Sequence, residues 1–156
     1  MRKFITIMAV VAVALLCCQC TTSKELRQAK KGAKDVPFTE LKNYYVRNNM
    51  RYDKTQHLII DNQQDFDGCF GPAAVMAGLP TDINWEKQYV IAVLLPVTNR
   101  ATMILPLEVK QSPGNVIFKY QVNRGGKTSY TLSPFTAVAL NRDAEPQQLQ
   151  VFFIEK

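Results

Sequence analysis

The sequence predicts a mainly β domain: an antiparallel sheet or small β-sandwich of about six to eight strands, with one short helix near residues 62–70. Three observations carry this. Gln88–Leu95 is an almost unbroken apolar run rich in β-formers, as expected of a central strand covered on both faces. Val116, Phe118, Tyr120 and Val122 alternate with Ile117, Lys119 and Gln121, the two-residue period of a strand with one buried face. Beyond residue 100, short apolar segments recur between Pro, Gly and Asn signals, the spacing of a meander or sandwich.

In chain order, Leu41–Asn48 and His57–Ile60 are β-branched and aromatic enough to form short strands. Asp61 is positioned to cap a helix, Gln64 three residues on completes a capping box, and Phe66, Cys69 and Phe70 recur at helical spacing. Gly71-Pro72 should stop that helix. Ala73–Pro80 reads as a packed apolar loop and Asp82–Glu86 as a turn. After the central strand, Ala101–Lys110, Asn115–Asn123, Lys127–Leu132, Phe135–Leu140 and Gln148–Ile154 are expected strands. Asn123-Arg124-Gly125-Gly126-Lys127 is the clearest hairpin turn, because its glycines accept positive φ. A body of this length buries roughly two-thirds of its unfolded surface, enough for one core without metal or disulfide staples.

Ahead of the body stand Met1-Arg2-Lys3 and the apolar run Phe4–Leu16, shorter than the ~20 residues of a membrane span, then Cys17-Cys18-Gln19-Cys20. This segment resembles the signal peptide of bacterial lipoproteins. The resemblance implies cleavage after residue 17 and acylation of Cys18, with Cys17 and Cys20 as alternative acceptors. It also implies an extracytoplasmic, lipid-anchored protein of the cell envelope whose first partner is a membrane. Residues 18–37 then read as a flexible basic tether, with order beginning near Phe38.

The chain carries 19 Lys and Arg against 13 Asp and Glu, a net +6. The basic excess is concentrated ahead of the body, which from Leu41 onward has 12 basic and 10 acidic residues. No concentrated basic stripe remains, which argues against nucleic-acid binding. Three of the four cysteines lie in the processing region, so Cys69 is expected to be a buried free thiol and the fold no disulfide scaffold.

Chemistry finds little support. His57 is the only imidazole, and no HExxH or CxxC pattern accompanies it, so no metal or cofactor is expected. A Cys69–His57 nucleophile pair would place the thiol at a helix C-terminus, which raises rather than lowers its pKa. Gln63, Asp65, Asp67 and Gly68 match part of a calcium loop, but Gln63 is neutral and Ala74 stands where a bidentate Glu is required. Ser129, Ser133 and Thr136 lack a nucleophile elbow. Two polar, Arg-bearing segments remain as candidate partner-binding loops: Thr98-Asn99-Arg100, and Asn123–Lys127 with Arg124 and Lys127. Tyr44, Tyr45, Tyr52 and Trp85 are core anchors unless exposed.

The order of the Phe66–Phe70 helix, Ile83-Asn84-Trp85-Glu86-Lys87-Gln88, the apolar strand ending at Leu95, a run of short strands and Ser133-Pro134-Phe135 resembles the C-terminal domain of the protease complex subunit PrcB family, over Asp65–Ile154. It departs from that family at Pro96–Thr102, where a glycine-rich loop closed by Tyr would stand. The resemblance implies a β-rich, non-enzymatic module whose envelope partner is a protease or its substrate. A small ligand or glycan in an aromatic-lined pocket is the alternative function, and a thiol enzyme using Cys69 a third.

Overall fold

Residues 88–141 form one antiparallel ribbon that folds over on itself, and this folding builds the two larger sheets of the protein. A computed structural model describes residues 23–50, 52–73, 78–142 and 148–156, with ten strands and two helices among them. The protein is mainly β, as the alternation and apolar runs predict.

Within the ribbon, β6 (Gln88–Leu94) leads into β7 (Thr98–Ser112), and β8 (Asn115–Leu132) leads into β9 (Phe135–Asn141). Pairing is nearly continuous across the join: Leu94 faces Phe135, the Leu95 N–H donates to Pro134 O at 2.9 Å, and Thr98 faces Leu132. Pro96 and Pro134 sit at that join, where missing donors interrupt the ladder. The ribbon bends there, so β6 and β9 lie in one sheet and β7 and β8 in the other. The ribbon tip is Pro113-Gly114, between the paired Ser112 and Asn115, with Gly114 at φ 75°. Proline followed by a positive-φ glycine is the type II turn arrangement.

Short strands complete each sheet. The first sheet has the order β1 (Lys34–Asp35), β7, β8, β10 (Gln150–Glu155), and the second β2 (Thr39–Glu40), β9, β6, β4 (Gln56–Ile60). A separate pair joins β3 (Tyr44–Val46) to β5 (Phe70–Pro72). The expected meander ends differently: β10 is parallel to β8. The cause is geometric. Strand β9 finishes at Asn141 beside the ribbon tip, and the Gln150 N–H donates to Gly114 O at 2.9 Å, so β10 starts where β8 starts and runs the same way.

Alternation divides the apolar residues of β6 between two cores. Tyr89, Ile91 and Val93 point between the sheets and meet Val109, Val116, Phe118 and Val138, all buried. Val90, Ala92 and Leu94 point to the opposite face, against Ile60, Val46, Phe66 and Phe70. Helix α2 (Gln63–Cys69) packs there. Its cap is Asn62 rather than the expected Asp61: Asn62 Oδ1 accepts from the Asp65 N–H at 2.9 Å, while Asp61 accepts from the Asn62 amide at 2.8 Å. The chain turns extended at Phe70, so Gly71-Pro72 belongs to β5 as well as ending the helix.

Two further expectations are corrected. The residues read as a flexible tether over 18–37 join the fold from Ser23: α1 (Ser23–Lys30) covers the outer face of the first sheet, and β1 pairs with β7. The reason is a sparse apolar stripe, Leu26, Ala29 and Ala33, packed on Ile117, Phe152 and Ile154; Ser112 Oγ donates to Ala29 O at 3.1 Å. Second, Asn123–Lys127 is no hairpin turn. It lies inside β8, which runs without a break from Asn115 to Leu132.

Candidate interaction surface

Strands β7 and β8 run far beyond their neighbours. Strand β10 pairs with β8 only as far as Tyr120, and β1 reaches β7 only at Lys110 and Gln111, leaving residues 98–105 and 121–132 as a two-stranded ribbon. The two segments read as separate loops are opposite each other on it: Arg100 faces Lys127 and Thr102 faces Arg124.

The register is irregular here. From Thr98 to Arg100, β7 advances two residues while β8 advances five, from Leu132 back to Lys127. Such a bulge bends the ribbon and re-aims side chains. Polar groups tie the excess chain down. Thr98 Oγ1 accepts from the Arg100 N–H at 3.2 Å, Thr102 Oγ1 donates to Arg100 O at 3.1 Å, and the Thr128 hydroxyl lies 3.0 Å from Asn99 O and 2.6 Å from Tyr130 O. Gly125 stands close to β7: a Cβ there would lie 3.1 Å from Ala101 O, tighter than an ordinary contact.

Charge on the ribbon is uneven. Toward the tip, Glu108 bonds Lys119 at 2.7 Å and Lys110 at 2.9 Å, and these two partners, Lys119 first, hold its carboxyl down at about 2. At the open end, Arg124 reaches Glu155 at 3.4 Å, whereas Arg100 and Lys127 have no ion pair among the described residues. Among the described residues, the Arg100 guanidinium bonds a carbonyl, Gly125 O, at 3.5 Å.

Two clefts flank this end. One of about 500 Å³ is lined by Met103, Asn123, Arg124, Gly125, Tyr130 and Leu132. Tyr130 is 63% exposed and Met103 57%. The other, about 230 Å³, is lined by Thr55, Pro96, Thr98, Arg100, Thr102 and Arg124. Tyr130 and Met103 were not singled out by the sequence. The period-two pattern Thr128, Tyr130, Leu132 was visible, but nothing local says that this face of β8 has no sheet over it.

The other candidates lie apart. His57 faces Val93 across β4–β6 and so points between the sheets, stacked on Phe153 at 4.2 Å with Nε2 3.5 Å from the Tyr120 hydroxyl. Burial pushes its pKa below the usual 6.5, and pushes the Tyr120 phenol up. Cys69 packs on the opposite face of the second sheet, half-buried rather than fully buried, its thiol raised by burial and by Asp65. Gln63, Asp65, Asp67 and Gly68 are helical, with the Gln63 amide donating to Asp67 Oδ1 at 2.7 Å, so they form no calcium loop. Tyr44, Tyr52 and Trp85 pack around Phe66 and its neighbours, and Tyr45 is the exposed member of the four. Ser129 lies in β8 and Ser133 just beyond it, and Thr136 is buried in β9. Cys17, Cys18 and Cys20 lie outside the described residues, and no described helix is long and apolar enough to cross a membrane.

Compared with protein-family models, with curated proteins and with solved structures, the chain matches none.

Proposed function

We propose that this chain is a lipid-anchored binding module of the bacterial cell envelope that holds a protein partner on the open end of the β7–β8 ribbon. The observation that carries the reading is the meeting of exposed Met103 and Tyr130 with Arg100, Arg124 and Lys127 on one two-stranded element. Tyr, Met and Arg are the side chains that protein interfaces favour, and apolar anchors beside guanidinium groups are the usual composition of their energetic centres. The address rests on the sequence of residues 1–23 alone. The narrower version, a protease-associated partner, rests on the resemblance of Asp65–Ile154 to the PrcB family.

A non-enzymatic role is consistent with the raised Cys69 thiol and with His57 pointing to the other side of the second sheet. The second reading, a small ligand or glycan bound against an aromatic ring, has Tyr130 in the 500 Å³ cleft in its favour. Tyr44, Tyr52 and Trp85 serve the core instead.

The test is crosslinking in intact cells. Arg100→Glu with Arg124→Glu should leave the melting temperature nearly unchanged, since both side chains are exposed, and remove the crosslinked partner; an unchanged crosslink pattern overturns the ribbon as the interface. For the anchor, labelling with a palmitate analogue should be lost in Cys18→Ala, and labelling that persists moves the acceptor to Cys17 or Cys20.

A further inference from the structure

We infer that the 230 Å³ cleft beside the open end of the ribbon is a receptor for a single carboxylate group of a polypeptide partner, clamped between Arg100 and Arg124. This rests on the interface reading above and supplies its chemistry. Thr98, Arg100 and Thr102 alternate along β7 and line the cleft together; Arg124 enters from β8 and Thr55 from the chain just before β4. Leu95 and Pro96 add apolar lining beside these polar groups. An ion seated there loses water on one side, which strengthens its attraction to the guanidinium groups.

Thr98 and Arg100 keep donors to spare, while the Thr102 hydroxyl is given to Arg100 O and Arg124 already meets Glu155. Thr98 Oγ1 accepts from the Arg100 N–H, which leaves its own proton to give, and the Arg100 guanidinium, among the described residues, holds a long bond to Gly125 O. Size limits the guest. Pockets for drug-sized ligands span about 300–1,000 Å³, so this one admits an amino-acid side chain or a chain terminus rather than a nucleotide or a sugar chain. Charge selects among small anions. Two guanidinium groups less Glu155, which already lies against Arg124, leave one uncompensated positive charge. A carboxylate matches it, whereas a phosphate dianion would leave one negative charge uncompensated in the cleft. Arg presents its donors in a planar fork that fits a carboxylate with two parallel bonds.

The full chain, held in a non-ionic detergent at low ionic strength, is titrated with acetate and followed by amide resonances. Saturable shifts at Thr98, Arg100 and Thr102, with half-saturation in the range of about 1–10 mM, are expected, and acetamide at the same concentrations should produce none. Arg100→Gln and Arg124→Gln should each weaken acetate binding about tenfold, while Lys87→Gln, an exposed position just before β6 that does not line the cleft, leaves it within about twofold. Shifts that rise linearly without saturation, or that survive Arg100→Gln, overturn the site. Inorganic phosphate binding more tightly than acetate overturns the carboxylate assignment. Acetate binding with an unchanged crosslink pattern in the Arg100→Glu, Arg124→Glu protein would keep this cleft and reject the interface reading; loss of the crosslink without acetate binding would do the reverse.

Discussion

The ring of Tyr45 lies across Gly71, its directly opposed residue in the β3–β5 pair, so closely that a Cβ on Gly71 would stand 2.6 Å from Tyr45 Cζ. The glycine is buried although Tyr45 itself is 45% exposed, so the ring acts as the lid that the missing side chain would have been. Gly71→Ala must therefore displace a ring that has solvent to move into, and a loss of about 1 kcal/mol is expected. In a Tyr45→Ala background the same change should be nearly neutral. A double-mutant cycle by urea unfolding reads the coupling, and additive losses would reject the lid.

Two glycines separate the real turn from the expected one. Gly114, at φ 75°, turns the ribbon tip, whereas Gly126 lies within β8 with open space where a Cβ would stand. Gly114→Ala should lose about 1–2 kcal/mol through backbone strain, and Gly114→Asn less, because Asn tolerates that region. Gly126→Ala should fall within about 0.5 kcal/mol of the parent protein. Equal losses at the two positions would contradict the observed register.

That contrast shows what was legible. The two-residue period of Val116–Val122 and the apolar run of Gln88–Leu95 report local burial, and they located β6 and the first half of β8. Asn123–Lys127 carries the same residues whether it turns or bulges, and only the pairing of Arg100 with Lys127 decides between them. Likewise, Leu26, Ala29 and Ala33 form too narrow a stripe to announce a helix; its partner surface, Ile117 and Phe152, is some ninety residues or more away in the chain. The arginines were visible as candidates, but their convergence is a property of register, which propensity does not encode.

The single His of the chain gives a pH signature. Burial lowers the His57 pKa in the folded protein below the 6.5 of the unfolded chain, so between the two values the unfolded state binds more protons and stability rises with pH. The contribution of neutral His57 is complete above 6.5 and is lost as pH falls through the lower native value. The one imidazole resonance should titrate below 6.5, and His57→Phe should flatten the melting temperature against pH between about 7.5 and 5. A midpoint at or above 6.5 would refute the assignment.

Thr136 faces Val93 in the β6–β9 pair, 3% exposed, and its hydroxyl has no hydrogen-bond partner among the described residues. Removing a buried hydroxyl that bonds nothing relieves its desolvation, and valine keeps the shape. Thr136→Val should stabilise the protein by about 1 kcal/mol, a rise in melting temperature of about 2–4 °C by calorimetry. A fall would mean that the hydroxyl is satisfied.

Ala29 decides how close the domain stands to the proposed anchor. With α1 docked on β8 and β10, only five residue steps separate Cys18 from Ser23, a reach of at most about 18 Å, whereas a free tether to residue 37 would allow about 70 Å. The docking depends on a side chain small enough to let the helix approach Ile117 and Phe152, since Ala29 is 2% exposed. Ala29→Glu places a charge in that contact and should cost at least about 2 kcal/mol, or else undock α1, which proteolysis near Lys30 would report as accelerated cleavage. The neighbouring exposed change Gln28→Glu should alter stability by less than about 0.5 kcal/mol and leave cleavage unchanged. If the two variants behave alike, the helix is not held by its apolar stripe and the longer tether returns.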